Sequence, residues 1–189
     1  MKKSTSIGLA MLIALSSSAT FAEEYTGSAQ IASSKIKNVD DRGFTAIVSG
    51  SMKLDDMIDM EGFSAEAEFS KSLTTPAGSS ASGGGTTIKS ETSYWSLGAY
   101  GAYTYPVNDE ISVKGRVGLV YLSMSFDSSC SGTGCAFFSS SSASDSETEL
   151  AFGVTGTYAF KDDMDIIAEF TKIDQLSHIG IGVAMPFEL

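Results

Sequence analysis

The stretch Ile179–Leu189, IGIGVAMPFEL, alternates with strict period two. Ile179, Ile181, Val183, Met185, Phe187 and Leu189 fall on one face of an extended strand, and His178, Gly180, Gly182, Ala184, Pro186 and Glu188 on the other. One face carries the bulk and the other almost none. A soluble sheet buries its large side chains and shows polar ones to water, so an opposite face of glycine and alanine is not a solvated surface. Large residues against acyl chains and small ones lining a narrow interior are what a membrane-barrel strand requires.

The same reading extends back along the chain. Alternating segments of about the ten residues that a tilted membrane strand needs are separated alternately by short and longer connections. The expected strands are Tyr25 to Lys35, Phe44 to Leu54, Met60 to Leu73, Tyr94 to Val107, Ile111 to Phe126, Glu149 to Phe160, Met164 to Ile173 and the closing strand. Tight turns are expected at Asp55-Asp56, at Pro106 with Asn108-Asp109, at Lys161-Asp162-Asp163 and at Asp174-Gln175. Thr74 to Ser93 and Asp127 to Thr148 are rich in Ser, Gly and Thr and read as long flexible loops. Beyond Val120 both faces of the fifth strand turn apolar, so its register is open there, with a bulge or a rise above the membrane as the two readings. The fold class is all-β: an eight-stranded antiparallel up-and-down transmembrane β-barrel. With an even strand number both termini share one side and the long connections the other.

Ahead of these strands, Lys2 and Lys3 precede an apolar run from Ile7 to Leu15 and a small-x-small site at Thr20-Phe21-Ala22, the pattern of a secretory signal peptide over residues 1–22. Residues 23–189 then form one barrel domain. The apolar run is far shorter than the roughly 20 residues a spanning helix needs. The chain carries a net charge of −11, and loss of Lys2 and Lys3 makes it more acidic, which argues against a nucleic-acid partner.

The faces opposite the apolar ones hold Glu66, Glu68, Lys114, Arg116 and Glu169 among many small residues. An eight-stranded barrel is only wide enough for side chains to fill. The three carboxylates are therefore expected to pair with Lys114 and Arg116 as an internal plug, since unpaired charge there costs several kcal/mol. A plug denies substrate access, which disfavours acid–base catalysis by these carboxylates. Trp95, Tyr103, Tyr105, Tyr121, Tyr158, Phe160 and Phe187 are expected to form aromatic girdles at the two membrane interfaces.

The closing strand, with an aromatic near its end, resembles the terminal strand of bacterial outer-membrane β-barrels. Segments such as Leu97-Gly98-Ala99-Tyr100-Gly101-Ala102-Tyr103 and Pro106-Val107-Asn108-Asp109-Glu110-Ile111-Ser112-Val113 are similar to strand–turn–strand units of the small outer-membrane barrel family that includes the OmpA transmembrane domain, OmpX, Ail and the opacity-type proteins. The resemblance spans essentially the whole mature chain. It implies residence in the outer membrane of a Gram-negative envelope, insertion by the barrel-assembly machinery, and contact with outer-membrane lipids and lipopolysaccharide. Roles in that family range over anchoring, adhesion and complement resistance, so fold alone does not select one.

Cys130 and Cys135 lie close together in the second long connection, and in an exported chain such a pair is expected to form a disulfide, with a metal pair as the alternative that lacks further ligands. Phe137-Phe138 beside it is a candidate apolar contact for a partner or an acyl region. Gly83-Gly84-Gly85 lacks the strand and helix of a phosphate-binding turn. His178 is the sole histidine, with Ser177 on the opposite strand face. The expected role is non-enzymatic, structural or surface-interacting through residues 74–93 and 127–148, with no cofactor and no resident metal. The alternatives are a lipid-A-modifying hydrolase using His178, a small passive porin-like channel and a periplasmic lipocalin-like ligand binder.

Overall fold

A computed structural model describes residues 25–37, 41–55, 60–74, 77–82, 86–132, 135, 141–161 and 163–187. The signal-peptide reading, Gly83-Gly84-Gly85, Phe137-Phe138, Asp56, Asp162, Glu188 and Leu189 lie outside the described residues. The strands are β1 (Tyr25–Ile36), β2 (Arg42–Lys53), β3 (Phe63–Ser72), β4 (Ala77–Ser82), β5 (Thr86–Pro106), β6 (Ile111–Gly132), β7 (Ser141–Lys161), β8 (Met164–Ile173) and β9 (Leu176–Phe187).

Eight of them are the staves of a closed antiparallel barrel, each paired with its sequence neighbour, and β4 stands outside the ring. Closure is made by β1 on β9, in unbroken register from Tyr25 opposite Phe187 to Ile36 opposite Leu176. β3 passes directly to β5, Phe63 opposite Tyr103 through Lys71 opposite Trp95. No helix among the described residues is long and apolar enough to cross a membrane; crossing falls to the strands.

Period two decides what each stave shows to either side. On β9 the large residues of the quoted stretch point outward, with Ile179 57% and Ile181 64% exposed, while His178 is 2% exposed on the inside. Phe44, Val48, Val117, Leu119, Leu150 and Phe152 are likewise outward and more than half exposed. Exposed apolar surface on this scale, wrapping a closed ring, has no place in water.

The two long connections differ from the sequence expectation. Residues 77–82 and 86–93 are strand, as are 127–132 and 141–148. β5, β6 and β7 continue past the ring as one sheet, and β4 joins its edge, Ala77 opposite Glu91 through Ser82 opposite Thr86. The sheet reaches further than the apolar pattern because, above the belt, water lies on both faces and alternation is no longer imposed. β6 keeps its register past Val120 without a bulge, from Val120 opposite Gly98 and Glu149 to Gly132 opposite Thr86. The register irregularity falls instead between Ala159 and Lys161 at the other end of the barrel. There too, Asn108 caps the β5–β6 turn, its Oδ1 accepting from the backbone N–H of Glu110 at 2.9 Å and of Ile111 at 2.7 Å. The β2–β3 reversal is longer than a tight turn at Asp55-Asp56, since β2 ends at Lys53 and β3 begins at Phe63; Asp55 Oδ1 accepts the Gly62 N–H there at 2.9 Å.

Candidate functional site

The interior is filled in three layers. Nearest the sheet extension, Ile36, Tyr94, Val120, Leu122, Met124, Ala151, Ile173 and Leu176 form a buried apolar layer across the mouth. Ile36 ends β1, while Ile173 and Leu176 flank the β8–β9 reversal, so strand ends fold in over the lumen; the Lys37 N–H donates to the Gln175 carbonyl at 2.8 Å. This is why β6 shows apolar residues on both faces above Val120: Leu122 and Met124 fill the mouth while Tyr121 looks out.

Below it lies a hydroxyl–imidazole layer. Ser34 Oγ and Thr45 Oγ1 are 2.5 Å apart, Tyr94 OH donates to Ser34 Oγ at 2.8 Å, and Ser34 Oγ is 3.0 Å from His178 Nδ1. Ser70 and Ser96 pair at 2.7 Å beside them.

The third layer is centred on Arg116. Its guanidinium meets the carboxylates of Glu66 and Glu169, and that of Glu68 at 2.7 Å. Lys114 Nζ adds a second cation to Glu66 at 2.5 Å. The structure thus brings together all five charged residues singled out from the sequence, from β3, β6 and β8, which meet only across the lumen. Neutral partners add to the layer: Thr155 and Thr171 donate to Glu169 at 3.0 Å, Gln30 Nε2 does so at 3.3 Å, and the Tyr100 ring lies 4.4 Å from the Arg116 guanidinium carbon, while Arg116 Nε and Gln30 Oε1 meet no hydrogen-bond partner among the described residues. Such hydrogen bonds lower the cost of burying three carboxylates with two cations. Glycine makes the room. A Cβ at Gly153 would stand 2.9 Å from Arg116 Nε, and one at Gly98 would stand 2.6 Å from the Tyr100 ring.

Thr155, Thr171, Gln30 and Tyr100 escaped sequence reasoning, since a neutral inward side chain has no partner until register is known. So did Ser34, Thr45 and Tyr94. Their one sequence signal was that they stand on the small face of their strands.

Glu66, Glu68 and Glu169 offer carboxylate oxygens within 4.8 Å of one another, a spacing that suits a cation. Arg116 occupies that position, so the cluster holds an internal guanidinium where a metal would sit. Among the described residues His178 has no carboxylate to orient it and its Nε2 meets no partner, and Ser177 Oγ lies outside, donating to the Lys35 carbonyl at 3.5 Å. Ser177, His178 and Asp174 therefore do not assemble into a triad.

On the exterior, Trp95 and Tyr121 pack with ring centroids 5.5 Å apart near the sheet extension, both 40% exposed. Tyr103, Tyr105, Tyr158, Phe160 and Phe187 are exposed around the opposite end, together with Tyr25, which stacks on Phe187 at 5.7 Å, and Phe63, which packs on Tyr103 at 5.0 Å. At the tip of β6, Cys130 and Cys135 face one another with Cα atoms 5.8 Å apart and sulfurs within bonding distance.

A closed ring, a lipid-suited exterior and a plugged interior define a class of protein, and sequence comparison agrees. The model of the outer membrane protein beta-barrel domain matches residues 7–183. The chain belongs to this outer-membrane barrel family. No curated relative matches it in sequence. Its fold is similar to that of a major outer membrane protein from Thermus thermophilus, at 12% identity and a TM-score of 0.62 over 86% of this chain and 99% of that one. It is also similar to Ail, the attachment invasion locus protein of Yersinia pestis, solved in complex with the heparin analogue sucrose octasulfate. That match has 16% identity and a TM-score of 0.58 over 88% of this chain and all of that one. Neisserial surface protein A matches at 15% identity and 0.54, over 87% and 97%. At such identities the likeness is one of fold. Family members place short turns and termini on the periplasmic side and long connections outside; the sheet extension lies at the long-connection end of this barrel.

Proposed function

We propose that this outer-membrane barrel is a non-enzymatic, non-conducting surface protein that presents its β-sheet arm for contact with an extended polypeptide segment and contributes to envelope integrity. The observation that carries the reading is the contrast between a lumen filled through three layers and an arm that leaves backbone unpaired. β7 pairs with β6 from Ser141 onward but with β8 only from Ala151 onward. Among the described residues, the upper part of β7 therefore has a ladder on one side only. An open, proline-free edge is a template for strand addition.

The partner's charge follows from the arm. Glu91, Asp127, Asp145 and Glu147 are all exposed there, which suits a neutral or basic segment. Ail in its solved complex holds a sulfated heparin analogue; a polyanion of that kind is ill matched to this arm. A disulfide between Cys130 and Cys135 would pin the arm's tip. Entry to the outer membrane would follow export by the signal peptide and insertion by the assembly machinery, with lipopolysaccharide as the surrounding lipid.

Planar-bilayer recording of the refolded barrel tests the sealed lumen: no discrete conductance steps are expected, and regular steps would replace this reading with that of a small channel. A shortened chain in which a two-residue turn replaces residues 126–143, cutting back the open β7 edge, should still fold but lose contact with the extended segment. Equal binding by the shortened and full chains would remove the arm from the account. An altered lipid-A profile in a strain lacking the protein would favour the hydrolase instead.

A further inference from the structure

The acidic chain has a basic flank. Lys172 on β8 pairs in register with Ser177 on β9, Ser177 with Lys35 on β1, and Lys35 with Arg42 on β2. The four positions form one lateral row spanning about 14 Å at the usual strand spacing. All four alternate with the buried residues of their staves, so all face outward. Lys35 and Arg42 are exposed, as is Lys37 just beyond.

What lies beneath the row identifies what it faces. Two residues toward the membrane centre, about 7 Å down the stave, Phe170 is 41%, Ile179 57% and Phe44 56% exposed, and on β1 Ile31, four residues below Lys35 and beyond Ser33, is 51% exposed. Each cation is thus the first charge beyond the apolar belt on its own stave. It stands where hydrocarbon gives way to lipid headgroups. Among the described residues none of the three cations has a carboxylate partner in the protein; Lys172 Nζ donates only to the Asp174 carbonyl, at 3.0 Å. The neighbouring acids Asp41 and Asp174 stand at chain reversals on the water side, and Glu149 reaches the β8–β9 reversal from β7, accepting the Gln175 N–H at 3.4 Å. The exposed acids Glu91 and Asp127 lie on β5 and β6, away from this flank, while Asp145 and Glu147 stand above it on β7, next to β8.

We propose that the β8–β9–β1–β2 flank binds one phosphate-bearing lipid of the outer leaflet, with its phosphates on Lys172, Lys35 and Arg42, the Ser177 hydroxyl as a further donor, and its acyl chains against Phe170, Ile179, Ile31 and Phe44. Ammonium and guanidinium groups at a lipid boundary attract anionic headgroups, and a guanidinium suits phosphate in two-point contact. The inference rests on the outer-membrane placement of the arm-bearing end.

The test uses the full chain refolded in zwitterionic micelles, titrated separately with diphosphorylated lipid A, monophosphorylated lipid A and phosphatidylcholine, and read by native mass spectrometry and backbone amide shifts. One diphosphorylated lipid is expected to bind, with shifts centred on residues 35, 42, 172 and 177. Removing one phosphate should weaken it. Lys35→Gln, Arg42→Gln and Lys172→Gln should each cost roughly fivefold in affinity, the effect of about one surface cation near an anionic lipid. Arg42→Lys should retain most of it, and Lys161→Gln at the periplasmic end should change nothing. A parent with no heat-dependent mobility shift in SDS would overturn the membrane placement and the site together. A parent that shifts, yet binds phosphatidylcholine as well as lipid A or tolerates all three glutamine variants, would overturn the site alone.

Discussion

The lumen is sealed twice, and the two seals differ in kind. At the mouth, Leu122, Val120, Ile173 and Leu176 close the barrel by filling volume; deeper in, Arg116 closes it by charge matched to charge. An apolar layer tolerates small changes in shape, because its contacts are many, weak and undirected. The ionic layer tolerates little, because three strands must supply their charged groups at one height around a single guanidinium. The mouth therefore contributes bulk burial, while the Arg116 layer makes a slip of β3, β6 or β8 expensive: a one-residue shift would carry Glu66 or Glu169 to the lipid face.

The most severe way to break this contrast is Arg116→Ala. Three buried carboxylates would lose their principal cation, and a loss of about 3–5 kcal/mol is expected in urea unfolding from micelles. Combining Arg116→Met with Glu66→Gln, Glu68→Gln and Glu169→Gln should recover much of that loss, since removing these charges leaves no buried carboxylate unpaired. No recovery would mean that Arg116 acts by packing alone. Next in size is Leu122→Ala in the mouth, expected to cost about 2–4 kcal/mol with the folded barrel otherwise intact. A cost equal to that of Arg116→Ala, accompanied by strand misregister in amide spectra, would erase the distinction between the seals.

The smallest effect sits above both layers. Glu149, level with the β8–β9 reversal and outside the apolar belt, accepts the Gln175 N–H at 3.4 Å. Its carboxyl is pushed up to about 7, first by burial and then by Glu147 and Asp174, against a lowering by that Gln175 contact. A carboxyl raised on folding adds stability that is complete below its unfolded value near 4.3 and is lost as pH rises through about 7. The thermal midpoint should therefore fall slightly between pH 5 and pH 8, and Glu149→Gln should flatten that slope. An unchanged slope in the variant would place the titration elsewhere.

Much of the barrel was legible because lipid imposes a rule that sequence must obey. Ile179 to Phe187, Phe63 to Phe69 and Trp95 to Tyr105 display their faces in the order of residues alone. The arm was not legible for the same reason. Residues 77–82 and 141–148 have water on both sides, so Ser, Gly and Thr satisfy either face and the strand loses its signature. Within the lumen, opposite charges announced Glu66, Lys114, Arg116 and Glu169. Neutral partners such as Thr171 and Gln30 needed register, which follows from closure and turn geometry and is invisible in any one strand.

The seam between β1 and β9 has a kinetic consequence. Tyr25 meets Phe187 and Ser34 meets His178 across nearly the entire chain, so the ring's last ladder cannot form before its final strand is present. Loop closure over such a separation is slow. Until it happens the chain carries two raw edges open to aggregation. A copy shortened at β9 is therefore not a weaker barrel but an unclosed sheet, and the nascent protein must be held unfolded until the whole circumference is available at once.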